Sequence, residues 1–206
     1  MYSKLSEYHS KINKIKENQL VIFNVPYIDG KNIIVKIVDD LDDTISLLVK
    51  WRNRYGEWFD TKFFANNETT KKWINNKIIE DIERVLFLII YNDQKIGHFG
   101  LDNYNEKDNS IFITDVIRGE RGFAPGLMTI VFNQFIKWIQ NELKISIIRL
   151  RVFDDDDKAI ALYKKCGFRK MKSIPMYKEL TEDGWKWVEV KEVDQNPKRF
   201  FDVMEF

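Results

Sequence analysis

The chain has 206 residues, and its 33 basic and 32 acidic side chains nearly balance, so neither nucleic acid nor an anionic membrane is expected as a partner. The longest apolar run, residues 85–90, is too short to span a bilayer, and the polar N-terminus lacks the apolar core of a secretory signal. One cysteine excludes an internal disulfide and two distant histidines do not favour a zinc site, so we expect a cytoplasmic globular protein without a bound metal.

The first 80 residues alternate between helical and strand patterns. Residues 3–17 place apolar side chains at helical spacing among lysines, and the stretch 20–38 indicates two strands around an Asp-Gly turn. Residues 39–80 then carry two helical patterns, the first preceded by acidic residues that suit a helix N-terminus. We divide the chain into an N-terminal extension, 1–30, with a short helix and a strand, and a main domain, 31–206.

The rest of the chain continues as strands and helices in alternation. Residues 84–117 indicate an antiparallel meander of three strands, interrupted by polar turn signals. An amphipathic helix is predicted over 126–143, a strand over 146–153 and a helix over 156–168, which a glycine ends. Two strands around a second Asp-Gly turn are predicted within 176–193. After the extension, the predicted order is therefore β-α-α-β-β-β-α-β-α-β-β.

The segment RGERGFAPGLM, residues 118–128, joins a predicted strand to a predicted helix through three glycines. Free N–H groups at a helix N-terminus attract anions, and Gly119, Gly122 and Gly126 permit a close backbone approach. Pro125 suits the first helical turn, where its missing N–H costs nothing. The glycines alone favour an ordinary strand-to-helix turn. It is not a nucleotide P-loop, because no Gly-Lys-Ser/Thr sequence follows.

Two segments together resemble the GNAT acetyltransferase superfamily. VIRGERGFAPG is similar to the family's acetyl-CoA loop, V-x-P-x-x-R-G-x-G-x-G/A, with Arg118 in place of the proline and Ala124 in place of a glycine. LRVFDDDDKAIALYKKCGF is similar to a second family signature, with Asp156 where asparagine is usual. Its matching residues are Leu150, Val152, Ala159, Ile160, Leu162, Tyr163, Lys165, Gly167 and Phe168. The resemblance covers about residues 33–190 and implies an α+β fold, a mixed, mostly antiparallel twisted sheet with helices on both faces.

The resemblance implies that acetyl-CoA is the cofactor. In the family, loop amides hold the pyrophosphate, and a bulge in the preceding strand frees backbone groups for the pantetheine arm and the thioester. Carried over to this chain, the expected cofactor residues are Val116, Ile117, Arg121, Gly122, Phe123, Ala124, Gly126, Leu127, Asp156 and Tyr163. Pro125 has no N–H to donate, so the cradle has one donor fewer at that position.

The resemblance also suggests catalytic residues. Tyr163 matches the family tyrosine that protonates the departing thiolate, and the alternative is a core aromatic on an amphipathic helix. Asp115 is the candidate base, although it faces away from the cleft in a regular strand unless a bulge redirects it. Asp102 and His98 are other candidates for the base, and a bound water is a further alternative. His98 also fits a buried structural imidazole.

The acceptor is expected to be a small-molecule amine that binds near the first predicted helices. The expected substrate-binding residues are Trp51, Arg52, Arg54, Glu57 and His98. Paired arginines suit phosphates and tryptophan faces suit sugars or bases, so a nucleotide-linked amino sugar is the favoured acceptor. An aminoglycoside, a ribosomal-type protein N-terminus, and a non-catalytic CoA-binding module are the alternatives. Exposed terminal strands are compatible with a homodimer.

Overall fold

A computed structural model describes residues 3–122, 124–190 and 196–206 of the chain. The helices are α1 (Lys4–Glu17), α2 (Asp42–Arg54), α3 (Asn67–Ile74), α4 (Leu127–Trp138) and α5 (Asp157–Lys165). The strands are β1 (Val21–Pro26), β2 (Asn32–Ile37), β3 (Thr61–Phe63), β4 (Val85–Tyr91), β5 (Gln94–Asn105), β6 (Ser110–Arg118), β7 (Ile147–Phe153), β8 (Arg169–Thr181), β9 (Gly184–Glu189) and β10 (Arg199–Glu205). A 3₁₀ turn, Gly56–Trp58, follows α2, and π-helical turns extend α3 and α4.

All ten strands form one sheet in the order β1-β2-β4-β5-β6-β7-β10-β8-β9-β3. Every pairing is antiparallel except that of β6 with β7, which run parallel from Ser110 opposite Ile147 to Ile113 opposite Leu150. Beyond these four residue pairs, β6 and β7 no longer pair with each other, although each still pairs with its other neighbour in the sheet. The gap between their free ends opens the middle of the sheet and creates the space for a ligand.

Helices cover both faces of the sheet. On one face, α1, α4 and α5 bury the main core, in which Ile12, Phe132 and Phe135 are fully buried. On the other face, Trp51 of α2 and Ile74 of α3 pack against strand β4. The expected fold class is confirmed: the sheet is mixed, mostly antiparallel, and flanked by helices on both faces.

Two strands lie where the sequence analysis assigned none. β10 inserts between β7 and β8 and pairs antiparallel with both. Its residues are mostly buried on both faces of the sheet, so the strand shows no in-out alternation. β3 has only three residues and exists because it pairs with β9. Both strands depend on partners that are distant in sequence.

The N-terminal extension belongs to the same sheet and core as the rest of the protein. β1 pairs with β2 around the predicted Asp-Gly turn. From α1, Tyr8, Ile12 and Ile15 enter the main core cluster. The phenol of Tyr8 donates a hydrogen bond to the Glu83 carbonyl at 2.8 Å. In the described parts of the chain, no helix has both the length and the apolar character that a membrane crossing needs.

Candidate active site

A cleft of about 1050 Å³ occupies the gap between β6 and β7. We call the part next to the glycine loop the donor half. It is lined by Val116, Ile117, Arg121, Asp156 and Tyr163. We call the remainder the acceptor half. It is lined by Trp58, Asp60, Asp102, Phe112, Arg151 and Phe153. The two halves meet where β6 departs from β7.

A β-bulge in β6 shapes the floor of the cleft. Gly100 of β5 pairs with Thr114, and His98 pairs with Ile117, so one residue of β5 faces two residues of β6. Asp115 adopts a positive φ of 50° at this bulge. Backbone N–H and C=O groups at a bulge are released from the sheet ladder. The bulge expected from the resemblance is therefore present, and it lies at the cleft.

The glycine loop presents free backbone donors at the start of α4. Gly126 caps the helix with φ 78°, and Gly122 has φ 96°. Within the described residues, no group accepts a hydrogen bond from the backbone N–H of Gly122, Gly126 or Met128. Unpaired N–H groups at a helix N-terminus fit an anion such as a diphosphate. The residues present therefore fit the phosphate end of acetyl-CoA.

The other loop residues that are predicted to hold the cofactor differ from these three in their hydrogen bonds, backbone conformation or exposure. The Leu127 amide donates to the Ala124 carbonyl at 3.2 Å, and the Leu127 side chain is fully buried. These contacts do not favour its place in the cradle, which stays a prediction. Ala124 adopts φ 50°, which its Cβ tolerates less easily than glycine. Arg121 lines the cleft and holds its guanidinium 5.1 Å from the centroid of the Tyr55 ring. Phe123 lies outside the described residues.

Contacts that the sequence analysis missed hold the loop in place. Arg118, which replaces the family proline, donates from Nε to the Glu120 carbonyl at 3.3 Å and from Nη2 to the Ala124 carbonyl at 3.2 Å. Glu120 accepts hydrogen bonds from Lys50 at 2.7 Å and from the Trp51 indole at 3.0 Å. These bonds lower the pKa of Glu120, the Lys50 bond most. The bonds to Glu120 thus attach the loop to α2. In the sequence, the only sign of these additional loop contacts was Arg118, which stands where the family motif has proline.

Helix α5 places Tyr163 and Asp156 against the donor half. Asp156 caps the helix by accepting from the Ala159 amide at 3.1 Å. The Tyr163 ring packs against Phe132 and Phe168 and is 5% exposed. No described residue forms a hydrogen bond with its hydroxyl, and the residue lines the cleft. Burial raises the pKa of Tyr163, so its phenol stays protonated.

Asp115 reaches the cleft, but in an ion pair. Arg84 Nη2 lies 2.8 Å from Asp115 Oδ2, and the Thr114 hydroxyl donates to the same oxygen at 3.1 Å. Arg84 Nε lies 3.7 Å from Asp102 Oδ2. The guanidinium and the hydroxyl occupy this carboxylate oxygen, which leaves it less accessible to an incoming amine. The role of Asp115 as a base stays a prediction, and this pairing does not favour it.

Buried side chains overturn part of the predicted acceptor site. Trp51 is fully buried beneath the glycine loop, so it offers no face to a substrate and that prediction is wrong. His98 is buried too, and burial lowers its pKa to about 4, so it is a neutral core imidazole. Its ring lies 5.9 Å from that of Trp51. The prediction that His98 binds substrate is also wrong.

The other three predicted acceptor residues lie outside the cleft lining. Arg52 donates to the Thr61 carbonyl at 2.6 Å and holds its guanidinium 3.7 Å from the Phe59 ring centroid. Arg54 donates to the Gly119 carbonyl at 3.2 Å, and Glu57 pairs with Lys62. These side chains therefore stabilise the fold around the cleft. The same stretch does reach the cleft, but through residues further along it: Tyr55, Trp58, Phe59 and Asp60.

The acceptor half combines one unpaired cation with carboxylates and aromatic rings. The Arg151 guanidinium lies 5.4 Å from the centroid of the Phe112 ring, and no described carboxylate lies within ion-pair distance of it. Asp60 and Asp102 lie in the same half. Trp58 also lines it and is 45% exposed. This half can therefore receive a ligand that carries both an anionic and a cationic group.

Comparison with known proteins relates the chain to acetyltransferases. The family description "Acetyltransferase (GNAT) domain" matches residues 33–169. Acetyltransferase PseH of Campylobacter jejuni is 26% identical over 126 residues, which cover 60% of this chain and 76% of PseH. Spermidine N-acetyltransferase of Vibrio cholerae, solved with CoA and spermine, superposes with a TM-score of 0.66 at 14% identity, covering 84% of this chain and 94% of the other. The Salmonella typhimurium enzyme that modifies the N-terminal serine of ribosomal protein L7/L12 gives a TM-score of 0.65 at 12% identity, with the same coverage.

Proposed function

Because this chain belongs to the GNAT family, it is an N-acetyltransferase that uses acetyl-CoA, and we propose that its acceptor is the primary amine of a nucleotide-linked amino sugar. The observation that carries the proposal is the guanidinium of Arg151, which has no ion-pair partner among the described residues, in a half-cleft that also holds Asp60 and Asp102. A guanidinium binds phosphate oxygens, and carboxylates attract an ammonium group. A sugar nucleotide with a free amine carries both groups.

In this proposal, the donor half holds acetyl-CoA by its backbone. The amides of Gly122, Gly126 and Met128 bind the diphosphate, because no described group accepts a hydrogen bond from them and the α4 dipole favours negative charge. Val116 lies in the bulge and Ile117 directly after it, and both line the cleft, so we assign them to the thioester end of the cofactor. Arg121 adds a positive charge at the rim.

Transfer proceeds by direct attack of the amine on the thioester carbonyl carbon. The new C–N bond forms a tetrahedral intermediate, whose oxygen is stabilised by backbone N–H groups at the β6 bulge. The C–S bond then breaks, the electron pair stays on sulfur, and the Tyr163 hydroxyl gives its proton to the thiolate. Before the attack the ammonium group gives one proton to water, and the nitrogen gives a second to water as the amide forms. Water then returns to Tyr163 the proton that it gave to the thiolate. No covalent enzyme intermediate is required.

The acceptor lies in the other half of the cleft. Arg151 takes a phosphate, and its guanidinium lies 5.4 Å from the centroid of the Phe112 ring. Asp60, which has no ion-pair partner among the described residues, attracts the ammonium group, and Trp58 offers a flat face to a ring. A polyamine is the second candidate, because Asp60 and Asp102 suit its cationic groups. Arg151 would repel such a substrate, which is why we rank it second.

A thiol-release assay tests the proposal. Acetyl-CoA is combined with nucleotide-linked amino sugars, the same amino sugars without the nucleotide, aminoglycosides, spermidine and peptides with an N-terminal serine. We expect the highest kcat/KM for a sugar nucleotide. Arg151→Met is expected to raise the KM for that substrate about tenfold, while leaving the KM for the free amino sugar unchanged. A higher kcat/KM for spermidine than for any sugar nucleotide contradicts the proposal, and no turnover on any amine favours a CoA-binding module.

A further inference from the structure

Arg199, the first residue of β10, connects two segments that border the acceptor half. Its Nε and Nη2 donate to Asp155 Oδ1 at 2.8 and 2.6 Å, in the loop between β7 and α5. Its Nη1 donates to the Glu57 carbonyl at 2.9 Å, in the 3₁₀ turn after α2. The Arg199 side chain is only 11% exposed. One guanidinium therefore joins the segment after α2 to the loop that leads into the Tyr163 helix.

The same guanidinium lies among three aromatic rings. Its Cζ is 3.5 Å from the centroid of the Phe153 ring, 5.0 Å from that of Trp58 and 5.8 Å from that of Trp187. A cation over an aromatic face is attracted by the ring, and the attraction grows as water is excluded. Trp58 and Phe153 both line the cleft. Arg199 therefore fixes the position of cleft-lining rings without lining the cleft itself.

Residues 55–60, which we call the roof, border the acceptor half, and besides Arg199 they contact Arg52, whose guanidinium lies 3.7 Å from the Phe59 ring centroid, and Lys62, which pairs with Glu57. The Asp60 carbonyl accepts a hydrogen bond from the Trp187 amide at 2.6 Å, and strand β3 follows directly. Trp58 lies within the roof and is 45% exposed, although Arg199 contacts it. A tryptophan that is held by the protein and still largely open to a cleft is suited to stack on a ligand ring.

We propose that Arg199 is a positioning residue that holds Trp58 over the acceptor half as a stacking platform for a ring of the acceptor. That the acceptor contains a ring rests on the proposed function, since a sugar nucleotide offers both a sugar and a base. Arg199 acts through Trp58 and the roof and does not touch the reacting atoms. Its loss weakens acceptor binding and leaves the donor half unchanged.

Steady-state kinetics of three variants tests the positioning role. Arg199→Met removes all three hydrogen bonds and the charge. Arg199→Lys keeps the charge, but its single ammonium cannot replace the planar fork that reaches Asp155 and Glu57 together. Arg169→Met is the matched control, because Arg169 is exposed and does not line the cleft. We expect both Arg199 variants to raise the acceptor KM at least about tenfold, with kcat within about twofold and an unchanged Kd for acetyl-CoA. Arg169→Met leaves all three values unchanged.

A spectroscopic measurement reads the position of Trp58 without any acceptor. The six tryptophans are labelled with 5-fluorotryptophan, and Trp58→Phe assigns the Trp58 signal in the fluorine NMR spectrum. We expect Arg199→Lys to shift or broaden the signals of Trp58 and Trp187 and to leave that of Trp73 unchanged. An unchanged Trp58 signal overturns the proposal, as does an unchanged acceptor KM or an equal loss of acetyl-CoA affinity.

These outcomes separate the two proposals. If the wild-type enzyme transfers to spermidine and not to sugar nucleotides, the proposed function fails. The kinetic comparison is then made with spermidine, which has no ring. A tenfold increase in the spermidine KM for Arg199→Met would show that the roof is needed for any acceptor, and would overturn ring stacking as its purpose.

Discussion

The Tyr163 hydroxyl combines the two properties that a general acid needs, a retained proton and access to the reacting atoms. Packing against Phe132 and Phe168 buries the ring and raises the pKa of the phenol above its ordinary value of 10.0. No described side chain competes for the hydroxyl, which borders the cleft. The burial that raises the pKa of the phenol also disfavours a charged thiolate in the same cleft, so the sulfur takes the proton as the C–S bond breaks.

Replacing Tyr163 with Phe is expected to lower kcat about a hundredfold and to change KM little, because only the proton donor is lost. Because burial raises the pKa of the phenol, the acid form persists as pH rises, and wild-type kcat should not fall between pH 8 and pH 9.5. A thiol-release assay on both proteins, repeated across this pH range, measures the change in kcat and KM and the pH dependence of kcat. Tyr177→Phe, outside the cleft, serves as the control. An increase in KM with unchanged kcat would remove Tyr163 as the acid.

Sequence patterns located the site residues that occupy fixed motif positions, but they did not show which side chains of an aromatic stretch face the cleft. Tyr163 and Gly126 occupy fixed positions in two motifs, so their location did not depend on helix phase. Trp51 and Trp58 belong to one aromatic stretch, and composition does not tell which of them faces the cleft. Trp51 lies on the buried face of α2, whereas the 3₁₀ turn after Arg54 redirects the chain so that Trp58 reaches the acceptor half.

At the scale of elements, the glycine loop depends on helix α2. Gly119 lies directly against the Trp51 ring, and a Cβ at this position would come within 2.0 Å of the indole. The Gly119 carbonyl also accepts hydrogen bonds from Arg54 and from the Tyr55 hydroxyl. Glycine is required here by the close approach of a side chain, and the anion cradle of the next residues is thereby fixed in space.

Gly119→Ala should lower the melting temperature and weaken acetyl-CoA binding together, because the methyl group must displace either Trp51 or the loop. We expect a loss of about 1–3 kcal/mol in unfolding free energy. Thermal denaturation and calorimetric titration with acetyl-CoA measure the two effects. Gly56→Ala is the control, since its Cβ would meet Lys62 at an ordinary 3.5 Å. Unchanged acetyl-CoA affinity in Gly119→Ala would show that the loop position does not depend on this contact.

At the scale of the whole molecule, the cleft results from long-range strand pairing. β6 and β7 pair over only four residues, and β10 occupies the far side of β7, so the free end of β6 has no neighbour on the cleft side. Local periodicity predicted most strands, including the hairpin at Asp183 and Gly184. It could not predict β10, because a central strand buried on both faces lacks alternation. The roof likewise depends on the pairing of β3 with β9.

The packing of residues 1–30 against the main core indicates whether they unfold separately or together with the rest of the protein. Ile12 of α1 is fully buried in the main core, whereas Ile28 of the β1–β2 turn is 84% exposed. Ile12→Ala should therefore lower the unfolding free energy of the entire protein by about 2–5 kcal/mol in one transition, because a buried cavity destabilises everything that shares the core. Urea unfolding followed by tryptophan fluorescence measures it. Ile28→Ala, the matched control, should change little. A separate early transition in Ile12→Ala, with the main one unmoved, would make the extension an independent unit.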